Sequence, residues 1–333
     1  MKLATLKDPW HRDGRLVLVS RNLQRAVAAD DIAPTLLAAI ESWDACDIAL
    51  RQRYDALNEG KASDAFDFDP RAAAAPLPRS PQWCDGSAFL HHGRLMERAF
   101  NSPPIPDFDT VPVMYQGASD DFLGPHDDVP LPDEAHGIDF EGEFGVVVDS
   151  VPMGIAPDAA LARIRLLVQI NDWSLRTLGP REMKSGFGFL QAKPSTAFAP
   201  VAVTPDELGS AWRDGRVQMR LHVEWNNQWF GQAHGGAMNF HFGELVAHAA
   251  RTRRLSAGTV IGSGTVSNVE RTSGSSCIAE RRVLEMIDEG EPRTAFMRFG
   301  DTVRMEARLD SESVETPFGF IEQRVVRAGQ AGA

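Results

Sequence analysis

Short apolar runs separated by glycines recur after residue 140 of the chain. They lie at 144–151, 166–170, 217–225, 260–261 and 295–307. Runs of this length are typical of strands, whereas helices need longer periodic segments. Helical patterns are fewer, and the clearer ones in this part of the chain are 157–165 and 242–254. The pattern therefore predicts a mainly β architecture of the α+β type.

The first 80 residues differ in composition from the rest. An alternating segment at 15–19 predicts a short strand, and a helical periodicity over 32–57 predicts a helix. Residues 59–82 are rich in Pro, Asp and Ala, as linkers often are. We therefore expect a small N-terminal cap domain over residues 1–75 and a larger domain over residues 80–330.

The charge balance narrows the set of partners. The 333 residues include 34 Lys and Arg against 46 Asp and Glu, which gives a net charge of −12. Such a charge repels phosphate backbones and anionic lipids, so we expect neither a nucleic acid nor a membrane partner. No apolar run approaches the roughly 20 residues of a membrane-spanning helix, and the start lacks a signal-peptide pattern. We expect a cytoplasmic protein.

Two glutamates give the strongest chemical signal. Glu141 and Glu143 lie two positions apart at the start of the run 144–151. Side chains two apart in a strand leave on the same face, so the two carboxylates would lie together. At about 5 Å and an effective dielectric constant near 20, they would repel by on the order of 3 kcal/mol. A bound cation, a shared proton or exposure to water would relieve that repulsion.

Two aspartates extend this acidic pair. Asp172 follows the run 166–170, where a side chain at a strand end can protrude, and Asp85 opens the larger domain after the linker. If both converge on Glu141 and Glu143, the four carboxylates form an all-oxygen site. Hard oxygen ligands favour Mg²⁺, Ca²⁺ or Mn²⁺ over zinc or copper.

The motifs occur in an order that resembles one known family. They are Glu141-Gly142-Glu143, Asn171-Asp172-Trp173-Ser174 with Arg176, and then the segments 193–196, 262–265 and 300–303. In content, order and approximate spacing they resemble the fumarylacetoacetate hydrolase family. The resemblance implies a bacterial-type, two-domain member with a small β-rich N-terminal domain and a C-terminal mixed β-sandwich roll. It also implies a homodimer.

The resemblance gives each candidate residue a role. It implies a divalent cation, Mg²⁺ or Ca²⁺ with Mn²⁺ as a further option, bound by the four carboxylates Asp85, Glu141, Glu143 and Asp172. It makes His92 the general base that activates a water, and Glu280 the residue that orients it. Lys193 would add positive charge near the developing enolate. The neighbouring His91 remains an alternative base.

The candidate substrate contacts are Tyr115, Arg176 and Thr265. Tyr115 lies in a segment that resembles the family's Tyr-x-Gly loop. Thr265 lies in a glycine-rich turn whose N–H groups and hydroxyl can hold a carboxylate, and Arg176, like Arg181, can pair with a carboxylate in a bidentate way. Two positions depart from the longer animal-type members. Ser87 and Asn101 stand where those enzymes have a tyrosine and an arginine that help to hold the distal part of the substrate. The acyl fragment of the substrate is therefore left open.

The leading hypothesis is hydrolysis of a C–C bond in fumarylacetoacetate or a similar acylpyruvate or 1,3-diketo acid, within the breakdown of tyrosine or other aromatic compounds. Decarboxylation or isomerisation of a 2-oxo diacid on the same metal core is the alternative within the family. A non-catalytic dioxo-acid binder with a structural Ca²⁺ is an alternative from another class. A two-carboxylate glycosidase fits less well, because Glu141 and Glu143 lie too close along one strand to flank a glycosidic bond.

Overall fold

The computed structural model describes residues 1–99, 103–309 and 316–329. Its helices are α1 (Leu36–Glu41), α2 (Trp43–Asn58), α3 (Leu90–Ala99), α4 (Pro157–Leu161), α5 (Gly179–Ser185), α6 (Pro205–Leu208), α7 (Phe242–Ala249) and α8 (Ile278–Glu289). Its strands are β1 (Lys2–Leu6), β2 (Arg15–Val19), β3 (Arg25–Ala28), β4 (Phe66–Asp67), β5 (Trp83–Gly86), β6 (Met114–Gly117), β7 (Val129–Leu131), β8 (Ile138–Asp139), β9 (Gly142–Val148), β10 (Ile164–Asn171), β11 (Ser174–Leu175), β12 (Ala197–Phe198), β13 (Ala202–Val203), β14 (Trp212–Arg213), β15 (Arg216–Val217), β16 (Arg220–Trp225), β17 (Gln228–His234), β18 (Val260–Gly262), β19 (Thr302–Arg308) and β20 (Phe320–Arg327). The predicted α+β fold is confirmed.

Most strands belong to two sheets. The larger has the order β4-β3-β2-β1-β13-β10-β9-β18-β5-β6, with β12 beside β10, and the smaller has the order β17-β16-β19-β20-β7. Described neighbours run antiparallel except for β5 with β18 and β7 with β20. A parallel pair needs a long connection, and residues 87–259 lie between β5 and β18.

The larger sheet is buried on both faces. In β2, Val17 and Val19 belong to the core shared with the smaller sheet, whereas Leu16 and Leu18 belong to the core that includes α1 and α2. The alternation follows from the period of two along a strand. The layers are therefore helices, larger sheet and smaller sheet.

The first 80 residues continue the larger sheet. β1 pairs with β13 through Leu3 and Ala202, so β1 to β4 extend the sheet that carries the rest of the chain. The predicted linker 59–82 contains β4, and its residues Ala73 and Ala75 are buried. This segment packs against the sheet along much of its length.

Helix boundaries differ from the sequence prediction. The predicted helix 32–57 forms two helices, α1 and α2, because Ser42 leaves the helical conformation at their junction. The predicted helices 157–165 and 242–254 are shorter, as α4 and α7. α4 ends early because Ile164 already pairs in β10.

The predicted strands are better placed. Those expected at 15–19, 144–151, 166–170 and 260–261 are present as β2, β9, β10 and β18. Only the end of the predicted segment 295–307 is a strand, because the chain turns at Gly300, which has a φ of 96°. None of the described helices has the length and apolar character to cross a bilayer.

Candidate metal centre and active-site pocket

Neighbouring strands bring three of the predicted metal ligands together. Asp85 lies in β5, Glu143 lies in β9, and Asp172 directly follows β10. These strands lie close in the sheet order β10-β9-β18-β5. One carboxylate oxygen from each of the three residues lies within 4.8 Å of one from each of the other two, and all three side chains are buried.

Glu143 makes this cluster electrostatically unbalanced. Both of its carboxylate oxygens are buried without a hydrogen-bond partner among the described residues. Burial raises the pKa of Glu143, and the charges of Asp85 and Asp172 raise it further. Burial, followed by the charge of Asp172, likewise raises the pKa of Asp85. Buried carboxylates need a compensating charge, and their oxygens are hard ligands. The three residues therefore fit a divalent cation.

Glu141, the fourth predicted ligand, lies beside this cluster, with an oxygen near ligand atoms of His92 and Cys277. Lys193 Nζ donates to Glu141 Oε2 and also, at 2.6 Å, to an oxygen of Asp172. Arg176 Nη2 donates to Glu141 Oε1 at 2.6 Å. Burial alone would raise the pKa of Glu141, but Arg176 and Lys193 hold it below its usual range. Glu141 is therefore charge-balanced, whereas Glu143 is not.

Asp172 is fixed by three donors. Besides Lys193, Tyr115 donates its hydroxyl to Asp172 Oδ2 at 2.5 Å, and Thr196 donates to Oδ1 at 2.8 Å. Burial raises the pKa of Tyr115, as does the charge of Asp172, so the phenol stays protonated as a donor. Thr196 was not among the predicted site residues, although it belongs to the quoted segment 193–196.

His92 and Glu280 form a buried pair between α3 and α8. His92 Nδ1 lies 2.9 Å from Glu280 Oε2. An ionised carboxylate can only accept, which assigns the Nδ1 proton to His92 and leaves Nε2 as the acceptor. His92 lines the pocket described below, whereas the half-buried His91 is not among the described lining residues.

Asp139 anchors the start of α8. Its carboxylate accepts from the backbone N–H groups of Ile278 and Ala279 at 2.7 and 2.8 Å. It also accepts from Arg176 Nε at 2.8 Å. Arg176, predicted as a substrate contact, therefore links Asp139 to Glu141 while it lines the pocket. Asp139 was missed, although its position two residues before Glu141 was a signal for the same strand face.

A pocket of about 230 Å³ opens onto the site. Its polar end includes Asp85, His92, Lys193 and Thr265. Beside Thr265, the backbone N–H of Gly264 donates to Asp85 Oδ1 at 3.0 Å. Tyr115, Glu141 and Ser87 also line the pocket. Asn101 lies outside the described residues.

A buried carboxylate cluster that fits a cation, next to a His–Glu pair and a pocket, defines a class of enzyme site. Residues 82–326 match the family described as fumarylacetoacetate (FAA) hydrolase C-terminal. Residues 1–79 match fumarylacetoacetase N-terminal domain 2. The chain belongs to the fumarylacetoacetate hydrolase family, which confirms the resemblance seen in the motifs.

Three known proteins are similar to this chain. The 2,4-didehydro-3-deoxy-L-rhamnonate hydrolase of Sphingomonas sp. (strain SKA58) is 28% identical over 165 residues, 49% of this chain and 54% of the relative, so the match spans about half of that protein. The maleylpyruvate hydrolase of Sphingobium sp. SYK-6, solved with manganese(II) and pyruvate, is 14% identical over 98% of this chain and 100% of that chain, with a TM-score of 0.65. The 2-hydroxyhepta-2,4-diene-1,7-dioate isomerase of Mycobacterium marinum is 17% identical over 99% of this chain and 100% of that chain, with a TM-score of 0.59. The two structural matches show the shared fold.

Proposed function

We propose that the protein is a divalent-metal-dependent hydrolase that cleaves a C–C bond in fumarylacetoacetate or a similar acylpyruvate or 1,3-diketo acid. The observation that carries this proposal is the His92–Glu280 pair, which opens on the same pocket as Asp85 of the carboxylate cluster. Such a reaction belongs to the breakdown of tyrosine or other aromatic compounds.

The reaction sets two chemical demands. In an acylpyruvate, the oxygen of a water bonds to the acyl carbonyl carbon, and the bond from that carbon to the neighbouring CH₂ breaks. The electron pair stays on the pyruvate fragment as an enolate, which then takes a proton on carbon. The products are a carboxylate and pyruvate, with release of one proton. The site must therefore deprotonate a water and stabilise an enolate.

His92 meets the first demand. With its Nδ1 proton directed at Glu280, its Nε2 can accept a proton from a water in the pocket. Glu280 holds the imidazole in that tautomer and stabilises the imidazolium that forms.

Positive charge at the polar end meets the second demand. A divalent cation held by Asp85, Glu143 and Asp172, beside Glu141, would supply Lewis-acid polarisation of the substrate oxygens. Burial alone would lower the pKa of Lys193, but the charges of Asp172 and Glu141 hold it above its usual range. The ammonium therefore stays protonated and fixed where the enolate develops.

The remaining contacts would orient the substrate. Tyr115 and Thr265 present hydroxyl groups along the pocket, and Arg176 lines it beside Glu141. We propose that Thr265 and Arg176 bind substrate oxygens, and that Tyr115 does so when its hydroxyl turns from Asp172 to the substrate.

A metal-dependent assay tests the proposal. Loss of the enol absorbance of an acylpyruvate is expected with Mg²⁺, Ca²⁺ or Mn²⁺ and not with EDTA. His92→Ala should lower kcat by about 10²-fold or more, the usual contribution of a general base. His91→Ala is the matched control and should stay within about threefold, since His91 is not among the described residues that line the pocket. Full activity in His92→Ala would contradict the proposed base.

Product analysis separates the alternatives. Pyruvate and a carboxylic acid in equal amounts would support hydrolysis. Carbon dioxide would identify a decarboxylase, and an isomeric product without cleavage would identify an isomerase. Thermal stabilisation by diketo acids without turnover of any of them would favour a binding protein.

A further inference from the structure

The pocket changes character along its length. Away from the carboxylates its wall is apolar, and the side chains that build it are Met96, Ile105, Phe108, Met114, Met183 and Phe189. Phe189 packs edge to face on Tyr115, with ring centroids 5.1 Å apart. Tyr115 donates to Asp172, so it stands where the polar end meets the apolar wall. A substrate whose dioxo group reaches the polar end would therefore lay its acyl tail against apolar side chains.

The positive charges of the pocket are fixed at the polar end. Among the described lining residues, the Lys and Arg side chains are Lys193 and Arg176. Both donate to Glu141, and both are buried or nearly so. Their guanidinium and ammonium groups are thus already paired with carboxylates of the site.

One acid among the described lining residues lies beside Ile105 of the apolar wall. Glu97 lines the pocket on α3, and its carboxylate accepts from the backbone N–H of Ile105 at 3.3 Å. A substrate carboxylate at this end would lose its hydration against apolar side chains and lie near a like charge. Both effects oppose its binding.

Resting on the function proposed above, we propose a narrower substrate class: an acylpyruvate whose acyl group is uncharged and apolar, an aliphatic or aryl chain, in preference to a dicarboxylate. The rim of the pocket supports this class, since Ile105 and Met183 are 44% and 39% exposed there. An apolar tail would cover these two side chains and remove apolar surface from water.

A matched pair of substrates tests the inference. 4-Methylpentanoylpyruvate and succinylpyruvate have tails of the same length and branching, one ending in an isopropyl group and the other in a carboxylate. Acetylpyruvate lacks the tail and measures the core reaction. With Mn²⁺ present, we expect kcat/KM for the isopropyl substrate to exceed that of both others by at least about tenfold, the scale of discrimination in an apolar pocket.

The outcomes separate this inference from the proposed function. Suppose that succinylpyruvate is hydrolysed with a kcat/KM equal to or higher than that of 4-methylpentanoylpyruvate, and that acetylpyruvate is also cleaved. This result would contradict the preference for an apolar tail, while the proposed function would still hold. No hydrolysis of any of the three would overturn the proposed function, and the specificity would fall with it.

Substitution at the rim provides a second measurement. Met183→Asn should lower the preference for 4-methylpentanoylpyruvate over acetylpyruvate by about fivefold or more, since the tail loses an apolar contact. Met286→Asn is the matched control, because Met286 is also 39% exposed but is not among the described lining residues. An unchanged preference in Met183→Asn, or an equal drop in Met286→Asn, would contradict the inference.

Discussion

Glu143 is a buried acid whose oxygens have no donor among the described residues. Burial and the charges of Asp85 and Asp172 raise its pKa in the folded state. Such an acid adds stability below its unfolded pKa, near about 4.3, and that contribution is lost as pH rises through the folded pKa. Without a cation, the protein is therefore expected to lose stability as pH rises from mildly acidic to alkaline values.

The variant Glu143→Gln tests this expectation in EDTA. It removes one buried charge, so we expect a Tm at pH 8 about 2–5 °C above that of the wild type and a smaller difference at pH 5. Differential scanning fluorimetry at both pH values measures the effect. Adding Mn²⁺ should raise the Tm of the wild type more than that of the variant. A lower Tm of the variant in EDTA at pH 8 would show that Glu143 is compensated by other means.

Glu280 is expected to act through His92. Glu280→Gln should lower kcat by about 10²- to 10⁴-fold with KM within a few-fold, because the amide no longer enforces the tautomer. Glu285→Gln, on the same helix, is the matched control, since Glu285 accepts from the backbone of Arg293 and Thr294 instead. Steady-state kinetics on one acylpyruvate measure both variants. Equal kcat values for the two would remove Glu280 from the mechanism.

Part of the site was predictable residue by residue. The strand period and the strand end marked Glu143 and Asp172 as candidate ligands, and the family resemblance implied that they converge; the structure brings an oxygen of each within 4.8 Å of the other. The pairing of His92 with Glu280 came from the family resemblance alone, since local patterns carry no information on contacts between distant helices. The ion pair between Arg176 and Asp139 was not predicted, because buried ion pairs depend on which elements pack together.

At the scale of elements, the position of α8 depends on one aspartate. Asp139 accepts from the first two N–H groups of this helix and from Arg176. The first turn of a helix leaves N–H groups without partners, and a buried carboxylate there satisfies them and complements the helix dipole. Since Glu280 lies in that turn, the same contact fixes the orientation of His92.

Asp139→Ala is therefore expected to destabilise the protein strongly. It leaves Arg176 buried with one partner fewer, so we expect a loss of about 3–5 kcal/mol in the free energy of unfolding. Asp133→Ala is the control, because Asp133 accepts from the N–H of Ala135 at 3.0 Å in an exposed turn, and such a cap contributes about 1 kcal/mol. Urea unfolding measures both. Similar losses of unfolding free energy in the two variants would show that the buried contacts of Asp139 contribute no more to stability than an exposed cap.

Strands were predicted more accurately than helices for a physical reason. Because β2 is buried on both faces, its four residues after Arg15 are all apolar, and this run is visible within five residues. The helix α8 exposes Met286 and Ile287 to solvent, which obscures its amphipathic period. This helix is consequently absent from the helices predicted from the sequence, and the structure identifies it at Ile278–Glu289.

At the scale of the whole molecule, one sheet joins the two parts expected from the sequence. The pairing of Leu3 with Ala202 connects the first strand with one near the middle of the larger part. Such long-range pairing leaves no mark on local composition, so the change in composition near residue 80 indicated a boundary without indicating the shared sheet. The family matches divide at the same place, at residues 79 and 82.

A shared sheet predicts cooperative unfolding. We expect one transition in urea, with coincident midpoints for circular dichroism and tryptophan fluorescence, because β1 and β13 lose their partners together. A fragment of residues 80–333 should be insoluble or unfolded, since it would expose the edge of β13 and the core that packs against α1 and α2. Two separate transitions would instead show independent folding of the parts.

The long connection between β5 and β18 also determines the order in which parts of the site are made during synthesis. His92 and Glu280 lie 188 positions apart, and Asp85 and Gly264 lie 179 apart. A ribosome adds about 5–20 residues per second, so His92 precedes its partner by about 10–40 s. Before β18 is made Asp85 has no β18 beside it, and His92 has no Glu280 to orient it. The His92–Glu280 pair can therefore form only after 188 further residues have been added beyond His92.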